Sequence, residues 1–172
     1  YTNMLQLLLG QIELAQGDVE KAGARFLGLH SPPGAPGSFY DLFQQLGQGI
    51  VLLEQNHLEQ AAQRLSQAEA IALAFPHSAG LPWVLHYQAC RLLAQGETRL
   101  ARSRWDEARR LARQFKLFAL YRQIGAYQAR LAGCEHDQDF ILAWLKEWHG
   151  CRRRYGAELM PEEWLAYAWV QR

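Results

Sequence analysis

Cysteine and methionine are scarce in this 172-residue chain, at three and two. Cys90, Cys134 and Cys151 are odd in number and widely spaced, which excludes a disulfide framework and favours a reduced, cytoplasmic setting. No apolar run approaches the ~20 residues that span a bilayer, so no membrane partner is expected. The start, Tyr1-Thr2-Asn3-Met4, lacks the pattern of a secretion signal and enters a helical pattern midway. That suggests a single domain over residues 1–172, cut from a longer chain. An excess of charge of either sign is also missing: the formal net charge is +1, which does nothing to attract nucleic acid. Absent too are the apolar–polar alternation of half-buried strands, a Gly-x-Ser-x-Gly elbow and a Gly-rich phosphate loop.

What is present is an ordinary globular composition, 49% hydrophobic and 20% charged. Charge is unevenly spread. Residues 1–75 carry seven acidic and three basic side chains, and residues 76–172 carry ten and fifteen. Helical periodicity dominates throughout. Leu5, Leu8, Leu9 and Ile12 fall on one helix face, and Val19, Ala22, Phe26 and Leu29 form the buried side of a second helix. The stretch from Ser31 to Gly37 is the strongest breaker and reads as a loop between pairs. Further helices are expected at about 39–55, 57–75, 82–95, 97–116, 117–132 and 138–155, and Pro161 opens a last one through Gln171. That makes about nine in all.

Short turns at Gly17, Asn56 and Gly96 recur at a nearly constant interval. Five positions beyond each lies a small residue: Ala22, Ala61, Ala101. Nine beyond lies a bulky one: Phe26, Leu65, Trp105. A small side chain lets antiparallel helices approach closely, and the bulky one fills the adjacent space. A single pair cannot bury its own apolar face, so pairs must stack. A fourth unit follows loosely near Gly133, with Cys134 to Asp137 lengthening its turn. The expected class is all-α, an α-solenoid of antiparallel helix pairs.

Leu9-Gly10, Gly17, Ala22 and Phe26 resemble the tetratricopeptide repeat, although the period of about 40 exceeds its ~34. At the Leu-Gly register the later units have Gln48-Gly49 and Gln88-Ala89. Phrases such as Leu14 to Asp18 (LAQGD) and Leu92 to Gly96 (LLAQG) resemble the helical sensor region of MalT-like, LuxR-family ATP-dependent transcriptional regulators. The resemblance implies a right-handed superhelix that receives a small-molecule effector or a protein or peptide. It also implies contacts to other domains of the parent chain, with the ATPase and DNA-reading parts in other segments. A free-standing tetratricopeptide scaffold is the alternative.

The chemistry-bearing residues argue against catalysis. Six histidines include no pair at i, i+4, and Cys134-x-His136 and His149-x-Cys151 would have to converge to hold zinc, so no metal or cofactor is expected. Glu162-Glu163, Asp137 and Asp139 sit at helix starts, where the macrodipole and capping explain them. Arg99, Arg102, Arg104, Arg109, Arg110, Arg113 and Lys116 stripe one helix, and Arg152-Arg153-Arg154 follows. Asp106-Glu107 interrupts the stripe, which reads as a solvated face with no direct nucleic-acid contact by this segment. Trp144 and Trp148, at i, i+4, read as packing. In a tetratricopeptide-like array the first helix of each pair lines the concave wall. That register places Trp83, His86 and Cys90 on the third unit's wall and Gln123, Tyr127 and Arg130 on the fourth's. These six are the expected binding residues. Trp164 and Trp169 in the last helix would suit contact with a neighbouring domain.

Overall fold

A computed structural model describes residues 2–30, 38–75, 79–155 and 166–167. Eight α-helices cover them: α1 (Thr2–Ala15), α2 (Val19–Leu27), α3 (Phe39–Glu54), α4 (Leu58–Ala74), α5 (Leu81–Ala94), α6 (Thr98–Gln114), α7 (Phe118–Cys134) and α8 (Gln138–Tyr155). No strand occurs among the described residues. The expected last helix, with Pro161, Glu162-Glu163, Trp164 and Trp169, lies outside them, although Ala166 and Tyr167 are helical.

One device ends five of these helices. Gly17, Asn56, Gly96, Lys116 and His136 all have positive φ, between 58° and 81°. The amide one residue later donates to a carbonyl five positions back: Asp18 to Glu13, His57 to Leu52, Glu97 to Leu92, Leu117 to Ala112 and Asp137 to Ala132, at 2.8–2.9 Å. This left-handed cap satisfies carbonyls that the helix end would otherwise strand. Gly17, Asn56, Gly96 and His136 mark one such turn per helix pair, and Lys116 falls midway between the last two. The fourth unit's turn is therefore no longer than the others; it is displaced from Gly133 to His136. Side chains then start the next helix. Asp18 accepts from the Lys21 amide and Asp137 from the Phe140 amide. Ser38 and Asp41 form a reciprocal capping box at the start of α3.

The chain divides into two compact units, 1–107 and 108–172, with the boundary inside α6. In the first unit α1 to α5 pack serially against their sequence neighbours, and α3 also touches α1 and α5. Its small-and-large register works as expected. Ala22, Ala61 and Ala101 are fully buried beside buried Phe26, Leu65 and Trp105. Removing each bulky side chain from water is worth about 1.5–3 kcal/mol. Gly47 lets α3 sit directly on Phe26: a Cβ there would lie 2.2 Å from the ring. Leu42, Leu46, Ile50, Leu65, Ala68, Ala72 and Val84 continue the core.

The face of α1 differs from expectation. Leu5, Leu8 and Ile12 are each at least half exposed, and Leu7 is the one that enters the core with Phe26 and Leu29. Periodicity identifies an apolar stripe but not which flank α2 covers. In the second unit Trp144 and Trp148 are buried and stacked, with centroids 6.2 Å apart, and Trp148 stacks on Tyr167 at 4.5 Å. The aromatic stripe read from i, i+4 spacing is indeed packing.

Candidate functional site

The six expected binding residues separate into two environments. Trp83 on α5 is half-buried and rests, with Tyr87 of the same helix, on the Leu42–Leu65 core. His86 is fully buried, within the core of the first unit rather than on a wall. Its Nδ1 accepts a hydrogen bond from Trp105 Nε1 at 3.1 Å, which leaves the ring proton on Nε2, 4.0 Å from Cys90 Sγ. Burial pushes the His86 pKa down to about 3, so the ring is neutral at pH 7. Cys90 is partly exposed as a residue, yet burial of its thiol, aided by the Glu54 carboxylate, pushes its pKa up to about 12. Such a thiol is a poor nucleophile and a poor metal ligand. Gln123 and Tyr127 are half-buried on α7 in the second unit, and Arg130 is exposed there. No group of three or more potential metal-ligating side chains occurs among the described residues, and the side chain of Cys151 lies outside them.

A cleft in the first unit lies elsewhere, beside a break in the repeat. Arg25, Arg64 and Arg104 occupy one register of successive units. Arg25 donates to Gln6 at 3.2 Å and Arg64 to Gln45 at 3.1 Å, each reaching back within its own helix pair across the same sequence separation. The corresponding acceptor position in the third unit is Leu85, which is buried. Arg104 instead reaches α4 and donates to Glu69 Oε1 at 3.2 Å. Gln88 Nε2 donates to the other oxygen of Glu69 at 2.8 Å.

Around this Glu69–Gln88–Arg104 network opens a cleft of about 330 Å³ between α4, α5 and α6. Ala62, Leu92 and Leu100 supply apolar wall, and Ser66, Ser103, Arg91 and Glu107 complete the polar part. Two hydrogen-bonding atoms here have no partner among the described residues. They are Gln88 Oε1, on a side chain only 7% exposed, and Arg91 Nε. Arg91 meets no carboxylate among the described residues; its Nη1 donates to Gln95 Oε1 at 2.6 Å. Gln88 and Arg91 stand at i, i+3 and so share one face of α5. The sequence places Gln88 in the Leu-Gly register, and Arg104 and Glu107 in the arginine stripe, without marking any of them as a binding residue. The mismatch of Arg104 with Leu85 is the signal that could have found the cleft.

The second unit holds a contrasting cluster with every charge engaged. Glu147 accepts from Arg109 Nη2 and from the Tyr121 hydroxyl, both at 2.6 Å. The Arg109 guanidinium also covers the Tyr121 ring at 4.4 Å. Burial, and then the bond to Glu147, raise the Tyr121 pKa. This arrangement ties the end of α6 to α7 and α8. Within it, the buried Arg109 Nε has no hydrogen-bond partner among the described residues.

Comparison with protein-family models, with curated proteins and with solved structures gives no match.

Proposed function

We propose that the chain is a non-catalytic binding domain, a right-handed, tetratricopeptide-like superhelix of about nine helices. In this reading it serves as the sensor region of a cytoplasmic bacterial transcriptional regulator of the MalT-like LuxR family. It receives a small effector, or a protein or peptide, and passes that state to other domains of its parent chain. The observation that carries the binding reading is the α4–α5–α6 cleft, where the Gln88 Oε1 acceptor and the Nε donor of Arg91 both stand unfilled. Buried groups left unpaired cost about 1–3 kcal/mol each, and a ligand that fills them recovers that cost. The regulator reading rests on the resemblance of the repeated phrases. The mechanism is a population shift: a ligand that prefers one packing of the helices favours it by its differential affinity.

The gene context tests the regulator reading. A phosphate-binding loop encoded upstream and a helix-turn-helix downstream in the same frame support it, and an isolated reading frame removes it. The scaffold alternative draws on the exposed Leu5, Leu8 and Ile12, a stripe along α1 suited to contact with another helix. Charge introduced at Leu8 separates the two readings. It weakens partner capture in a scaffold and leaves small-effector binding in the cleft unchanged.

A further inference from the structure

The α4–α5–α6 cleft constrains its ligand more closely than the word effector does. Arg104 is shared between Glu69 and Glu107, and Gln88 Nε2 also donates to Glu69, so these groups are already committed to one another. Arg91 is different. It is partly buried, has no ion-pair partner among the described residues, and is held only through exposed Gln95. A half-buried guanidinium without a counter-ion favours an oxyanion, and its planar fork matches a carboxylate best. One turn away on the same face, Gln88 Oε1 can only accept, so what meets it must be a donor. Its amide cannot simply be reversed, because that would aim its oxygen at Glu69. A carboxylate with a donor on the adjacent carbon satisfies both atoms together.

The remaining space sets the rest of the molecule. Ala62, Leu92 and Leu100 form an apolar wall, and about 330 Å³ is too roomy for the two polar groups alone. We infer that this cleft binds a small 2-amino or 2-hydroxy carboxylate with a branched apolar side chain. The carboxylate lies on Arg91, the 2-substituent donates to Gln88 Oε1, and the side chain lies on Leu92 and Leu100. Both target atoms are sealed from solvent in the unliganded chain, so Arg91 turns off Gln95 as the ligand enters. This inference rests on the binding-domain reading and narrows it.

Isothermal titration of the whole chain tests it with four probes: leucine, 2-hydroxy-4-methylpentanoate, 4-methylpentanoate and leucine methyl ester. Either or both of the first two bind, and which one does tells the amino from the hydroxy class. Loss of the 2-substituent in 4-methylpentanoate weakens binding by about tenfold, because Gln88 Oε1 is left unfilled. Loss of the carboxylate charge in the ester weakens it by about tenfold or more. Arg91→Gln reproduces the ester's loss with every acid, and Gln88→Leu removes the preference for the 2-substituted acids. Circular dichroism on both variants confirms that helicity is retained. Equal binding of 4-methylpentanoate and the 2-substituted acids overturns the ligand class while leaving a binding domain. So does binding unaffected by Arg91→Gln. Absence of heat from all four probes overturns the inference outright, and a thermal-shift screen of unrelated effectors then decides whether the domain reading survives.

Discussion

At the scale of single residues, the third unit's core is exceptional for carrying polar atoms where its neighbour has none. Leu46 and Leu65, both buried, occupy the positions that His86 and Trp105 take one repeat later. An apolar pair has thus been exchanged for a hydrogen-bonded one. Its consequence is pH dependence. The His86 pKa lies near 3 in the folded chain and at about 6.5 when unfolded. The unfolded chain therefore binds a proton first as pH falls, and the stability from neutral His86 is complete above pH 6.5 and declines toward pH 3. Between about pH 6.5 and 5, where carboxylates titrate little, the slope approaches about 1.4 kcal/mol per pH unit. Urea titrations at stepped pH should show this slope in the native chain and its loss in His86→Leu. An unchanged slope in that variant would place the titrating group elsewhere. Nothing in composition or spacing distinguishes this histidine from a surface one. Its burial depends on which way α5 faces in the packed unit, and the register alone assigns it to a wall.

At the scale of elements, the turns set where each helix pair begins and ends. The spacing of Gly17, Asn56 and Gly96 is legible in the sequence because glycine and asparagine advertise a left-handed residue. Lys116 and His136 adopt the same conformation without advertising it, and so the sequence points to Gly133 for the fourth turn. A Cβ at Gly17 or Gly96 would meet nothing within 4 Å, so only backbone conformation opposes a side chain there. Gly17→Ala and Gly96→Ala should each destabilise by about 1 kcal/mol in chemical denaturation. Lys116→Gly and His136→Gly should each raise stability by up to about 1 kcal/mol, the reverse of glycine's usual effect. Gly47→Ala tests close approach instead. With a Cβ 2.2 Å from the Phe26 ring, α2 and α3 must separate, at a cost of about 1–3 kcal/mol or more. A wild-type melting temperature in Gly47→Ala would mean that the two helices do not pack as described. In the fourth unit Trp144 stands where Arg25, Arg64 and Arg104 stand in the other units, and it is buried.

At the scale of the whole molecule, serial packing governs how damage and ligand effects travel. Each helix of the first unit draws its contacts from near neighbours in sequence, so stability should be distributed along the chain rather than pooled. Hydrogen exchange on Gly47→Ala should show lost protection in α1 to α3, with α7 and α8 close to their original rates. Equal loss everywhere would identify one cooperative unit. The all-helical class, the helix pairs and most helix limits are legible because they follow from local pattern: apolar period, left-handed turns and caps. The cleft is not, because it depends on Arg104 finding Leu85 opposite and turning to Glu69 on another pair. Periodicity describes what a repeat shares, and the binding chemistry lies where one repeat departs from the others.

The left-handed turns that recur once per helix pair are the foundation of both the packed pairs and the cleft between them. Backbone chemical shifts and three-bond HN–Hα couplings measured by NMR would read them directly, residue by residue. Left-handed conformation is expected at Gly17, Asn56, Gly96, Lys116 and His136, each between two uninterrupted helices. Extended or helical values at Lys116 and His136, or helix running through either position, would contradict it.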